Sequence, residues 1–290
     1  DRCASASGKA SRWPSNVCEK QMNHSPQPLL YEQRGAVALL TLNRPDTRNA
    51  LDGEELFAAF ESTFRQLNDD LHIRAAVLTG AGTAFCSGGN IAEMRDRRGM
   101  FGGSPSQIAA NYRAGIQRIP RAFQALHVPI IAAVNGPAMG AGNDLACMCD
   151  IRIASTQARF AESFVKVGIV PGDGGCWFLP RIVGIGKAAE LAFTGDTLDA
   201  DEALRIGLVT QVVPPEALLA QALALADRIA ANPPQALRWT KQLLQHAGSA
   251  SLDQALDQAG IYQGQAHHTD DHAEAVASFF EKRPPIYTGR

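Results

Sequence analysis

The chain has 290 residues, 46% of them hydrophobic and 19% charged, with a formal net charge of −2. That length can bury one large core, and the near-neutral balance speaks against a face built for nucleic acid. No apolar run approaches the roughly 20 residues that span a bilayer, so a globular cytoplasmic protein without a membrane partner is expected.

The first 27 residues are rich in serine and basic side chains and show no apolar periodicity. They lack the apolar centre of a secretory signal and read as a disordered extension ahead of a natural start at Met22. The six cysteines (Cys3, Cys18, Cys86, Cys147, Cys149 and Cys176) include no C-x-x-C pair. Their scatter fits reduced thiols better than a disulfide framework or a zinc site.

Regular structure is predicted from Pro28 onward. AVALLTLN (Ala36 to Asn43) reads as a buried strand, followed by the turn-like RPDTRNAL. Leu56, Phe57, Phe60, Phe64 and Leu67 make a helical stripe within Asp52 to Leu67. Strands follow at Arg74 to Gly80, Val128 to Gly136 and Cys149 to Ser155, with one helix from Gln107 to Leu126 and a short helical segment at Ser163 to Val167. The strand-then-helix succession, repeated with related punctuation, predicts an α/β architecture of stacked ββα units with largely parallel strands. From Gly186 the strand signals thin out. Helices are predicted at Lys187 to Phe193, Asp199 to Ile206, Pro215 to Ala231, Pro234 to Ala247 and Ser251 to His267.

Two loops share a plan of strand, small residues, then helix start: Leu78 to Met94 and Val134 to Met148. Glycine lets a ligand approach the backbone closely, and free N–H groups at a helix start attract negative charge. Two such turns facing each other suit an oxyanion hole for a carbonyl that becomes an enolate. Each loop alone fits equally well a tight turn that packs a helix on a sheet.

FCSGGNI, AAVNGPAMGAGNDLACMCDIRIAS and FAESFVKVGIVPGDGG, with LNRPDTRNAL, TGDTLDADEALRIGLVTQVVP and the closing FFEKRPPIYTGR, resemble the crotonase superfamily, typified by enoyl-CoA hydratase. The resemblance covers about Leu29 to Arg290. It implies a crotonase-like α/β core of repeated ββα units over 28–195 and a helical C-terminal region over 196–290. That region is used for trimerisation, as a homotrimer or a dimer of trimers. It also implies an acyl-CoA substrate, with coenzyme A as part of the substrate and no metal or redox cofactor.

Carried over by position, the resemblance places the oxyanion donors on Gly89 and Ala141, alanine replacing the family's usual glycine. Ser87 and Gly88 lie in the same substrate-binding loop. Asp144 falls where a hydratase has its first catalytic glutamate, as in the dienoyl-CoA isomerases that carry an aspartate there. A helix N-cap carboxylate is the alternative. The second hydratase glutamate falls on Phe164, which can exchange no proton. Asp173, between glycines, and Glu162, two residues upstream of Phe164, are the substitutes, Asp173 the stronger. Each also fits a local structural acid. Arg44, Arg48, Lys282 and Arg283 are the basic residues placed for coenzyme A.

The resulting expectation is a hydratase or double-bond isomerase, with a non-catalytic coenzyme A- or RNA-binding homologue as the rival. GAGTAF and VGIGKAA miss key positions of nucleotide-binding loops. His268 and His272 in HHTDDH, at i,i+4 spacing, read as a solvated helix start rather than a metal site.

Overall fold

The computed structural model describes residues 27–290, so the extension expected at the N-terminus lies outside the described residues but for Gln27. The strands are β1 (Leu29–Arg34), β2 (Val37–Leu42), β3 (Ala75–Gly80), β4 (Ile130–Val134), β5 (Pro137–Met139), β6 (Ile151–Ser155), β7 (Arg159–Ala161), β8 (Leu198–Asp199) and β9 (Gln211–Val213). A six-stranded sheet has the order β1-β2-β3-β4-β6-β9, with only the β1–β2 pair antiparallel. A small sheet, β5-β7-β8, stands beside it, and Cys86 bridges in parallel to Ala138 on its edge.

The helices are α1 (Glu54–Asp69), α2 (Ile91–Asp96), α3 (Pro105–Ala114), α4 (Arg118–Gln124), α5 (Ala141–Met148), α6 (Gly175–Val183), α7 (Ile185–Thr194), α8 (Ala200–Arg205), α9 (Leu218–Ala230), α10 (Pro234–Ala247), α11 (Leu252–Ala266) and α12 (Asp270–Glu281). The repeated unit is visible as β4-β5-α5 and again as β6-β7-α6. Each sends one strand to either sheet and returns a helix over the join.

The central strands are apolar throughout because both faces of a parallel sheet are covered. Leu40, Leu78 and Ala132 face one cluster with Phe57, Phe60 and Phe64 of α1. Their neighbours Leu39, Val77, Ile131 and Ala133 face the other, against Leu218, Ala222, Ala226 and Ala230 of α9. The four-residue spacing in α9 puts small side chains in one row and lets the helix lie close to the sheet.

The helix expected over Gln107 to Leu126 is two helices. Gly115 ends α3 at φ −108°, ψ −115°, and a Cβ there would stand 2.8 Å from Asn111 O and 3.4 Å from the Phe57 ring. β8 and β9 lie beyond residue 195, yet both pair with strands before it. The sheet-bearing part of the chain therefore extends past the boundary read from the sequence.

Two buried cations tie α10 to the core. Arg238 donates to the carbonyls of Leu67, Asn68, Asp70 and Ile73, which closes the C-terminus of α1. Lys241 donates to Val128 O at 2.9 Å and pairs with Asp150 at 2.8 Å. The chain end folds back on α12. Asp271, buried, accepts from the amides of Thr288 and Gly289 at 2.6 and 2.9 Å. Arg74, at the entrance to β3, donates to Tyr287 O at 2.7 Å.

Candidate active site

The two glycine-rich loops meet where the small sheet begins. The Cys86 amide donates to Pro137 O at 3.1 Å, and the Met139 amide donates to Cys86 O at 3.0 Å. A Cβ on Gly142 would collide with Cys86 O, so α5 can start here only with glycine in that place. Gly88, at φ +82°, packs its Cα against Met139 O, and a Cβ there would be 3.2 Å from Ala141 N. Glycine is required at 88 both by the backbone angle and by this approach.

Buried Asn49 holds the preceding turn against the first loop, donating to Ala81 O and Ala84 O at 2.9 Å and to Phe85 O at 3.2 Å. Asp52 accepts from Asn90 Nδ2 at 2.8 Å, and Asn90 caps α2 through the Ala92 and Glu93 amides. Asn49, Asp52 and Asn90 carry no motif signal that singles them out; their role exists only in the contacts.

Among the described residues, neither the Gly89 amide nor the Ala141 amide is taken up by a hydrogen bond. Gly89 lies between its loop and α2; Ala141 is the first residue of α5. Two unused donors on abutting loops, one of them at a helix N-terminus, can receive one developing negative oxygen.

Asp144 follows Ala141 by three residues on α5 and so lies on the same helix face. It is not an N-cap: Gly140 occupies that position, without a side-chain bond. Instead the fold gathers three carboxyls. Asp144, Glu162 and Asp173 have relative exposures of 0%, 2% and 2%. Asp144 lies close enough to both others for their charges to act on it. Asn143 donates to Glu162 Oε1 at 3.2 Å, but Glu162 Oε2 and all four oxygens of Asp144 and Asp173 meet no donor among the described residues.

Burial raises the pKa of Asp144 well above the ordinary carboxyl value, and the charges of Asp173 and then Glu162 raise it further. Burial likewise raises Glu162 and Asp173. Three buried acids without cations are stable only by sharing protons. The group therefore holds its protons to higher pH than free carboxyls do. Asp173 and Glu162 are both buried acids, and the fold brings both to Asp144.

Phe164 is half-buried. A Cβ on Gly140 would be 3.7 Å from its ring, so an apolar ring stands beside the Ala141 amide. A cavity of about 590 Å³ opens next to Gly89, walled by Met94, Phe101, Tyr112, Val167 and Ile169. The Met94 methyl would be 2.8 Å from a Cβ on Gly89, and Phe101 meets Tyr112 edge-on at 6.2 Å. Tyr112 also packs on Gly172, beside Asp173, and burial followed by the Asp173 charge raises its pKa.

The basic residues divide. Arg44 is held by the Asp52 carboxylate and by the carbonyls of Ala50 and Asp52. Arg48 is exposed beside it in the left-handed conformation, φ 54°, and Ser87 Oγ donates to Thr47 O at 3.0 Å. Lys282 and Arg283 lie with the tail. Arg283 pairs with Glu274 and Glu281, and the tail contacts the start of β3, whereas Gly89 follows its end. One chain therefore does not bring these two residues to its own acids. His272, read with His268, pairs instead with His267, at 3.1 Å between Nε2 and Nδ1.

Known proteins resemble this chain in sequence and fold. A family model described as enoyl-CoA hydratase/isomerase matches residues 32–290. A short-chain-enoyl-CoA hydratase of Clostridium acetobutylicum is 39% identical over 256 residues, 88% of this chain and 95% of that one. A 1,2-epoxyphenylacetyl-CoA isomerase of Escherichia coli is 37% identical over 254 residues, with the same shares covered. The crystal structure of an enoyl-CoA hydratase from Bacillus anthracis superposes with a TM-score of 0.84 at 33% identity, over 91% of this chain and all of that one. With the ββα repeat, the paired glycine loops and these likenesses in agreement, the chain belongs to the enoyl-CoA hydratase/isomerase family of the crotonase superfamily.

Proposed function

We propose that the protein shifts the double bond of an enoyl-CoA thioester, with Asp144 as the proton carrier. The Gly89 and Ala141 amides receive the thioester oxygen. Asp144 removes a proton from the carbon beside the carbonyl of a 3-enoyl-CoA, and the electron pair moves into the carbonyl as an enolate. Asp144 then returns the proton to the γ carbon, and the double bond ends conjugated with the thioester. Only protons move, so the reaction needs no metal or redox group, and the coenzyme A leaves unchanged with the acyl group.

The observation that carries this reading is Phe164 against Gly140. Isomerisation needs one acid acting twice, and the position where hydration would want a second acid holds a ring. Because Asp144 is fully buried, a side chain has to move for substrate to reach it. Met94, flexible and lying over Gly89, is suited to that. Arg48 is the exposed cation placed for the coenzyme A phosphates, and Arg44 shapes that turn from beneath.

Hydration is the second reading, favoured by Asp173 standing unbonded beside Asp144. Incubation of 2-enoyl- and 3-enoyl-CoA thioesters in deuterated water, followed by mass spectrometry, separates the two. Isomerisation gives the conjugated product with exchanged hydrogens and no water adduct, and Asp144→Asn lowers the rate about 10²- to 10⁴-fold. A water adduct formed as fast as exchange would make the protein a hydratase. Full activity of Asp144→Asn would remove Asp144 from either scheme.

The same reading includes a homotrimer, or a pair of trimers, built through the C-terminal helices. Its support is the apolar side chains exposed on α11, α12 and the tail, among them Leu252, Phe279, Phe280 and Ile286. The buried, unpaired thiols of Cys86, Cys147 and Cys149 suit a reducing cytoplasm.

A further inference from the structure

The cavity beside Gly89 differs in character from the buried acids. Its wall is aliphatic and aromatic, and the polar side chains among its lining residues are Arg95, Arg97 and Tyr112. All three can donate a hydrogen bond; none is a carboxylate or an amide. Arg95 is paired with Asp96 at 2.7 Å. Arg97 has no ion-pair partner among the described residues, although Asp96 and Arg98 beside it are paired with each other.

The backbone fixes where Arg97 stands. It is the C-cap of α2, in the left-handed conformation at φ 51°, and its amide donates to the carbonyls of Glu93 and Met94. Tyr112 is kept protonated by burial and by the nearby Asp173, which makes its hydroxyl a donor. About 590 Å³ is also more than a four-carbon acyl chain fills. An apolar cavity whose lining holds hydrogen-bond donors and no carboxylate, with Arg97 unpaired among the described residues, is complementary to an apolar chain with an anionic end.

We infer that the cavity receives the far end of the acyl group and that this end is a carboxylate. The substrate class is then the coenzyme A monothioester of an unsaturated dicarboxylic acid, and Arg97 is the specificity-determining residue. The inference rests on the proposed placement of the thioester at Gly89 and Ala141. A bulky apolar body is carried by Met94, Phe101 and Val167, and Arg97 meets the terminal carboxylate.

The anion that Arg97 attracts has two possible sources, the acyl carboxylate and the coenzyme A phosphates. The test is kcat/KM for a matched pair of enoyl thioesters, one ending in a methyl group and one in a carboxylate. Each is presented on coenzyme A and on pantetheine, which has no phosphates. The expected result is a preference of about tenfold or more for the carboxylate on both carriers. Arg97→Gln lowers only the carboxylate-ended pair, and Arg97→Lys keeps part of the preference. Arg97 is exposed, so both variants are expected to fold as the parent does.

Equal losses on both acyl groups, present with coenzyme A and absent with pantetheine, would assign Arg97 to the phosphates and overturn the inference. Turnover of both acyl groups without preference would also overturn it, while leaving the isomerase reading intact. Inertness of every thioester would refute that reading and the inference together.

Discussion

Gly175 gives the most direct way to move the proton carrier without replacing it. This glycine opens α6 and lies against Asp144: a Cβ added there would stand 2.5 Å from Oδ2 and 2.7 Å from Cγ. Those distances are about 1 Å short of ordinary carbon contact, and helix α6 and the carboxyl have to absorb the difference. Gly175→Ala is otherwise conservative. Its backbone is helical, and alanine gains up to about 1 kcal/mol in helix propensity, against about 1–3 kcal/mol for overpacking.

The prediction is therefore a protein that still folds, with Asp144 displaced by up to about 1 Å and turnover down about 100-fold. Urea unfolding checks the first part, and isomerisation of a 3-enoyl-CoA under saturating substrate checks the second. Placing the same substitution in an Asp144→Asn background should have no further effect on rate. A Gly175→Ala enzyme at full speed would show that the position of Asp144 is immaterial, and the proton-carrier role would fall with it.

The buried acids also set a pH dependence. Asp144 keeps its proton in the folded chain to higher pH than in the unfolded one, where it titrates near 3.8. The native state thus binds more protons as pH rises through that value, and stability falls from about pH 4 upward until the folded group ionises. The urea midpoint of the parent relative to that of Asp144→Asn should decline across this window; a difference that stays level or climbs would contradict the buried trio. Phe164→Glu places an acid beside Gly140, and water-adduct formation from a 2-enoyl-CoA should rise about tenfold or more. No gain would mean that the ring is not what limits hydration. Arg238→Ala leaves four carbonyls at the end of α1 without their donor and should cost about 3 kcal/mol in urea unfolding. A loss below about 0.5 kcal/mol would deny the cap its structural role.

The long central strands and α1 are legible in the sequence, because continuous apolar runs and a phenylalanine stripe leave little choice. β5, β7 and β9, three residues each, carry no period of their own and exist through pairing. The Gln107 to Leu126 segment reads as one helix because its apolar residues keep helical spacing. What divides it is Gly115, whose backbone leaves the helical region at φ −108°, ψ −115°, with Pro120 lacking the N–H that would carry one helix through. At the site, the glycines announce the loops and Asp144 stands out in them. Glu162 reads equally as a substitute acid and as a solvated helix-start acid, since nothing in ESFVKV says that its side chain turns inward. Asn49 and Asp52 are silent in the sequence for the same reason: their value lies in atoms contributed by residues 30 or more positions away.

The folded-back tail has a practical consequence. Thr288 and Gly289 supply the two amides that satisfy the buried Asp271, and Gly289, at φ +83°, seats on Leu71 and Pro234. Removing the last three residues would strand a carboxylate inside the protein and loosen the first turn of α12. The damage would then show as early amide hydrogen exchange in α12, while the acids and glycine loops at the far end of the sheet stayed in place. A trimmed chain would therefore lose the order of its last helix with its chemistry still correctly built.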